Sequence, residues 1–185
     1  MTNQNVILPA IALRGTTILP GMIVHFDVSR ERSKKAIEAA MLHDQKIFLV
    51  TQVDPEVENP DVSGVYRVGT IGYIKQVVKL PQDILRVLVE GTGRAVLEDF
   101  QQDFPYLTGV ISPVKEEETL LPDTVTEAMY RSLKELFHRY CMENGKISKE
   151  LVSQILNIES LEELIEQIAV NIPLSYQNKQ KILEA

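Results

Sequence analysis

Two long runs of β-forming residues, separated by three residues, constrain the fold of this chain more than any other feature. Residues 65–80 (VYRVGTIGYIKQVVKL) and residues 84–100 (ILRVLVEGTGRAVLEDF) predict a hairpin. Each run contains two glycines, at positions 69 and 72 and at positions 91 and 93. Glycine inside a strand is typical of a bulge, a sharp bend or a close approach of two backbones. The two strands are therefore expected to coil into a small barrel.

Shorter elements surround this hairpin. Their alternating or continuous apolar texture predicts strands over residues 6–13, 23–28, 46–52 and 106–114. Apolar residues at helical spacing predict an amphipathic helix over Arg30–His43, with Ser29 as its N-cap. Residues 1–115 are thus expected to form a β-rich subdomain.

The texture changes after an acidic linker at residues 116–121. Residues 122–185 are predicted to be all-α, with Thr124 and Glu127 as a capping box and Gly145 as a helix stop. Further helix starts are expected at Ser148, Ser160 and Ser175. The last of these helices runs to the end of the sequence without a glycine stop.

An apolar turn lies between the first two predicted strands. Pro20-Gly21 is a turn signal, yet Ile18, Leu19 and Met22 beside it are apolar. Turns are usually polar, so an apolar turn must be covered. The sequence leaves two interpretations open: these side chains close one end of the barrel, or they form an exposed lip that contacts other polypeptides.

Composition and motifs argue against several classes of function. A formal net charge of −7 disfavours binding to nucleic acid and to anionic membranes. Gly145-Lys146 lacks the rest of a phosphate loop. The three histidines are far apart in sequence, and the single cysteine, Cys141, is expected to be packed rather than nucleophilic. We expect no catalytic residue, cofactor or metal in this chain, and a reducing compartment.

Three blocks of the sequence match a known pattern in order and spacing. They are Ile7–Ile37 with Leu19-Pro20-Gly21-Met22 inside it, Val68–Ala95 with Gln76–Pro81 inside it, and Ile172–Leu174 followed by Lys179–Glu184. These blocks resemble the N-terminal LON domain of the Lon family of ATP-dependent proteases. Leu19 is a mild departure, because the family usually has an aromatic residue there.

The resemblance implies an α+β fold, with a PUA-like β-barrel subdomain (1–115), a linker (116–121) and a helical subdomain (122–185) leading into a truncated long helix. It also implies recognition and tethering of unfolded, damaged or degron-bearing proteins in the bacterial cytoplasm, and a role in organising a homohexamer. The AAA+ module, with ATP and Mg, and the Ser–Lys protease module would lie downstream, so this chain would not be an enzyme on its own.

Two other functions remain open at this stage, a stand-alone LON-domain scaffold or adaptor and a small enzyme hidden in the barrel. For polypeptide binding, the candidate residues are those of the apolar turn and the hairpin tip: Ile18, Leu19, Pro20, Met22, Leu80 and Pro81.

Overall fold

The computed structural model describes residues 5–115 and 122–185, which form two compact units. One unit contains the residues up to 115 together with residues 175–185, and the other extends to residue 174. The predicted acidic linker at 116–121 lies outside the described residues.

The β-rich unit contains six strands and one early helix, close to the predicted positions. In chain order they are β1 (Val6–Leu13), β2 (Ile23–Val28), α1 (Glu31–Met41), β3 (Lys46–Thr51), β4 (Val68–Leu80), β5 (Ile84–Gln102) and β6 (Thr108–Pro113). Helix α1 begins one residue later than predicted. Its N-cap position is Arg30, which makes no side-chain capping bond, so the expected role of Ser29 is wrong.

Five of the strands close into a barrel. The strand order of the sheet is β2-β5-β4-β3-β1-β6. An additional pairing of β5 with β6 closes the ring, and β2 lies outside it. β1 and β3 are parallel, and the other pairs are antiparallel. Phe48, Leu97 and Ile111 fill the interior with at most 1% of each side chain exposed. The strands and helices together confirm the predicted mixed α+β class.

Three strand segments extend beyond the barrel as a three-stranded sheet, here named the β-arm. It consists of residues 23–28, 74–80 and 84–90, with β5 in the centre between β2 and β4. On one face, Ile74, Val87 and Val89 are fully buried, and Val24, Phe26 and Val77 beside them are half-buried. The opposite face is therefore the one available to a partner.

Two of the four strand glycines are required by close contacts. A Cβ atom at Gly69 would lie 2.5 Å from Cζ of Phe48, and one at Gly91 would lie 2.4 Å from the carbonyl oxygen of Leu19. At Gly93 a Cβ atom would meet nothing within 4 Å. The predicted close approach of backbones is thus present at Gly91, whereas Gly93 has room for a side chain.

Gly91→Ala should lower the free energy of unfolding by about 1–3 kcal/mol, because the obstructing atom belongs to the backbone and must be displaced. Gly93→Ala is the matched control and should change it by less than about 0.5 kcal/mol. Urea denaturation of both variants measures the difference. Equal stability of the two variants would contradict the close approach.

The helical unit is built from α2 (Asp123–Asn144), α3 (Lys149–Leu156) and α4 (Leu161–Asn171). Their core contains Phe137, Cys141, Ile155, Leu164 and Ile168. The Ser148 and Ser160 hydroxyls accept hydrogen bonds from Leu151 N–H and Glu163 N–H, which confirms both predicted caps.

The ends of α2 agree with the sequence prediction at one terminus only. Gly145 ends the helix with a left-handed φ of 56°, as predicted. The capping box is wrong, because Pro122 takes the N-cap position and Thr124 lies inside the first turn.

The last helix, α5 (Tyr176–Glu184), packs on the β-rich unit. Gln180 Nε2 donates a 2.9 Å hydrogen bond to Val68 O, the Thr17 hydroxyl donates to Tyr176 O, and Leu183 is buried. The predicted helical subdomain, 122–185, therefore differs from the observed unit in its last eleven residues. An apolar helix face predicts burial, but it does not specify which core receives it.

Leu183→Ala should lower the free energy of unfolding of the β-rich unit by about 2–4 kcal/mol, since Leu183 is 2% exposed. Ile182→Ala, at a neighbouring position that is 37% exposed, should cost less than half as much. Thermal and urea unfolding of the two variants provides the comparison. A larger loss for Ile182→Ala would show that α5 presents another face to the barrel.

Candidate functional site

The apolar turn is a hydrogen-bonded turn inserted into the β-rich unit. Met22 N–H donates to Leu19 O at 3.1 Å, with Pro20 and Gly21 at the two central positions. Gly21 has a φ of 81°, as a type II turn requires at its third residue. Gly91 accepts a backbone hydrogen bond from Gly21 and donates one to Met22, each 2.9 Å long.

The side chains of this turn point into the protein. Ile18, Leu19 and Met22 are 3%, 4% and 8% exposed, and Pro20 is half-buried. The Thr70 hydroxyl also donates to Ile18 O at 2.6 Å. An exposed lip formed by Ile18, Leu19 and Met22 is therefore wrong for this conformation. The other interpretation, in which these side chains are part of the core, fits their burial.

Leu19→Ala should lower the free energy of unfolding by about 2–4 kcal/mol, because it removes a buried side chain. Ile23→Ala, four residues away and 57% exposed, should change it by less than about 1 kcal/mol. Chemical denaturation monitored by circular dichroism distinguishes the two. Unchanged stability of Leu19→Ala would restore the lip interpretation.

The hairpin-tip candidates lie at the far end of the β-arm from this turn. Leu80 is half-buried and pairs with Ile84, while Pro81 is exposed. The six residues of β2 lie between the turn and that end of the arm, a span of roughly 20 Å. The structure therefore does not bring the two predicted groups together.

The outer face of the β-arm carries apolar side chains that sequence analysis did not select. Cross-strand partners lie on the same face of a sheet, and the register pairs Ile23 with Glu90, His25 with Leu88, Asp27 with Arg86 and Val78 with Arg86. Ile23 is 57% exposed and Val78 is 41% exposed. The apolar members of this face are Ile23, Val78, Leu80, Ile84 and Leu88.

Four charged side chains of the β-arm form two ion pairs. Arg86 Nε and Nη2 donate to the two Asp27 carboxylate oxygens at 2.8 and 2.9 Å. These bonds hold the pKa of Asp27 below its usual range and raise the pKa of Arg86. Lys75 and Glu90 form a second pair at 2.6 Å. The outer face is consequently close to neutral, although the chain carries a net charge of −7.

A buried lysine fastens the tip of the β-arm to α1. Lys34 Nζ donates to Asp83 O at 3.1 Å and to the Asp83 carboxylate. The bond to Asp83 raises the pKa of Lys34, and the bond from Lys34 lowers the pKa of Asp83. Both groups stay charged through the neutral range, so the tip is held in place under those conditions.

Other candidate chemistry is sparse in the part of the chain that the structure describes. An open pocket of about 340 Å³ is lined by His25, Phe26, Asp27 and Arg86 beside β2. Within residues 5–115 and 122–185, no group of three or more His, Cys, Asp or Glu residues could hold a metal ion. Burial raises the pKa of the Cys141 thiol, which makes it a weak nucleophile. None of the described helices combines the length and the apolar character needed to span a bilayer.

Comparison with protein families identifies the kind of domain that carries this surface. The sequence model of the ATP-dependent protease La (LON) substrate-binding domain matches residues 7–185. The chain belongs to this family. The resemblance carried by the three sequence blocks is thereby confirmed, and one substrate-binding domain accounts for nearly all of the 185 residues.

Relatives with high sequence identity are bacterial Lon proteases. The chain is 43% identical over 178 residues to the Lon protease of Lachnoclostridium phytofermentans, covering 96% of the chain and 22% of that protein. It is 37% identical over 177 residues to Lon protease 1 of Bacillus subtilis, covering 96% and 23%. The chain thus spans between a fifth and a quarter of the length of these relatives.

Solved structures with the same fold are Lon N-terminal domains. The domain from the Mycobacterium avium complex superposes with a TM-score of 0.75 at 20% identity, covering 97% of this chain and 90% of that one. The Lon N-terminal domain protein from Xanthomonas campestris gives a TM-score of 0.51 at 17% identity, with 91% and 99% coverage. At these identities the likeness establishes the fold.

Proposed function

We propose that this Lon substrate-binding domain holds unfolded or degron-bearing proteins on the outer face of its β-arm, without catalysing a reaction itself. The observation that carries the proposal is an exposed, charge-balanced apolar sheet face in a chain whose family is defined by substrate binding. Ile23 and Val78 are the most exposed apolar side chains on that face.

The composition of this face suits ligands that share no fixed sequence. Unfolded proteins present scattered apolar side chains, so their receptor needs apolar contacts that tolerate many sequences. Each contact contributes about 1–2 kcal/mol before the cost of ordering the ligand. Micromolar or weaker affinity is therefore expected for a single domain, and multivalent presentation would raise it.

Membership of this family suggests the longer protein in which such a domain would act. Such a domain would deliver substrates to the ATPase and serine protease modules of an ATP-dependent Lon protease in the bacterial cytoplasm. Assembly as a homohexamer would supply the multivalency, with this domain helping to organise it. ATP and Mg would then bind in the other modules, and the negative charge of the chain disfavours nucleic acid as a ligand.

The double variant Ile23→Ser/Val78→Ser tests this surface. Its affinity for reduced and carbamidomethylated α-lactalbumin, a permanently unfolded protein whose blocked cysteines carry no charge, should fall by about tenfold, because two apolar contacts are lost. The free energy of unfolding should change by less than about 1 kcal/mol, since both side chains are exposed. Fluorescence anisotropy of the labelled ligand measures the affinity.

Ile7→Ser is the matched control. Ile7 is 51% exposed on β1, which pairs with β3 and β6 and does not belong to the β-arm. This variant should bind like the parent chain. Equal losses in the control and the double variant would contradict a site on the β-arm, and absence of binding by the parent chain would contradict the function itself.

A further inference from the structure

We propose that the free edge of β2 binds an extended segment of an unfolded polypeptide as an additional strand of the β-arm. This inference rests on the proposed function and deepens it, because it specifies how the backbone of the substrate is held. An incoming strand beside β2 would place alternate side chains next to Ile23 and His25, so the edge is continuous with the outer apolar face.

The topology leaves β2 with a partner on one side only. Among the described residues, β2 pairs with β5 alone, whereas each barrel strand has neighbours on both sides. No described backbone hydrogen bond outside the regular elements involves residues 23–28. The outward-facing amide groups of this strand are therefore open to a backbone ligand.

The hydrogen-bond register identifies which amides face outward. Gly91 N–H donates to Met22 O, and bonded residues on an antiparallel strand recur every second position. The backbone N–H and C=O groups of residues 24, 26 and 28 consequently point toward β5. Ile23, His25 and Asp27 direct their N–H and C=O groups away from the sheet, with the spacing that an extended chain presents.

The two edges of the β-arm differ in how they are protected. The β4 edge, beyond Ile74, carries Lys75 and Lys79, and its register shifts between Ile74 and Gln76. Charged lysines and bulges are the devices that block pairing at sheet edges. The β2 edge, IVHFDV, has no lysine, no proline and no register shift, and Arg86 neutralises its one carboxylate at Asp27.

Charge favours a substrate segment over a second copy of this chain as the occupant. Two copies would each carry a net charge of −7 and repel one another. An unfolded segment has no such fixed charge, and the neutral edge accepts it through backbone hydrogen bonds that do not depend on side-chain identity. This chemistry matches a ligand class without a common sequence.

Hydrogen exchange of the 185-residue chain, followed residue by residue by NMR, tests the proposal. On addition of reduced and carbamidomethylated α-lactalbumin, the amides of Ile23, His25 and Asp27 should slow their exchange by about tenfold. The amides of residues 75–80 should not change. Alternating protection along β2 is the signature of a new strand, which contact through side chains alone would not produce.

A pair of variants at one position provides the second arm. His25→Pro removes one outward N–H and should weaken binding about tenfold, while proline remains compatible with a solvent-facing edge position. His25→Ala keeps the N–H and should bind within about twofold of the parent. If His25→Pro unfolds, the exchange experiment on the unmodified chain decides the question.

The possible results distinguish failure of the β2-edge proposal from failure of the proposed substrate-binding function. Binding without new protection at residues 23, 25 and 27 overturns the edge proposal and leaves the proposed function standing. Protection that appears without ligand, and grows with the concentration of the chain, assigns the edge to a second copy and overturns the proposal. No binding of the unfolded protein at all overturns both.

Discussion

The structure depends on the hydrogen bonding of one long strand, β5, to three others. Its 19 residues pair with β2, β4 and β6 in turn. The β6 pairing closes the barrel, and the β2 pairing extends the sheet beyond it. One continuous strand thus couples a closed, rigid frame to an open sheet with a free edge, and the open part is the one suited to bind another chain.

The apolar turn owes its position to the same strand. Gly91 is hydrogen-bonded to Gly21 and Met22, and the absence of a side chain there lets Leu19 O approach the strand. Because the side chains of Ile18, Leu19 and Met22 are buried in the core, they are not accessible to a substrate in this conformation. On the outer face of the β-arm, by contrast, Ile23 and Val78 are exposed.

Local signals in the sequence predicted most of the fold but little of the candidate site. Runs of β-branched residues predicted the strands, and Pro20-Gly21 predicted the turn. Ser148, Ser160 and Ser175 predicted three helix starts. Burial depends on contacts far apart in sequence, so the same residues could be read as core or as a lip. In β2 the exposed residues Ile23, His25 and Asp27 alternate with the half-buried Val24 and Phe26, but this period-two pattern cannot be assigned to a face of the sheet without the register between β2 and β5. The packing of α5 on the β-rich unit also depends on contacts far apart in sequence, so the sequence pattern did not predict it.

We expect unfolded polypeptide to contact the β-arm while the barrel and the apolar turn keep their structure. Backbone amide chemical shifts, recorded as an unfolded protein is titrated into the chain, test this most directly. If the β-arm is the binding surface, the largest changes occur in residues 23–28 and 76–90, with small changes at Ile18, Leu19 and the barrel strand β1. Changes centred on the turn or on α2, with the β-arm unaffected, would contradict it.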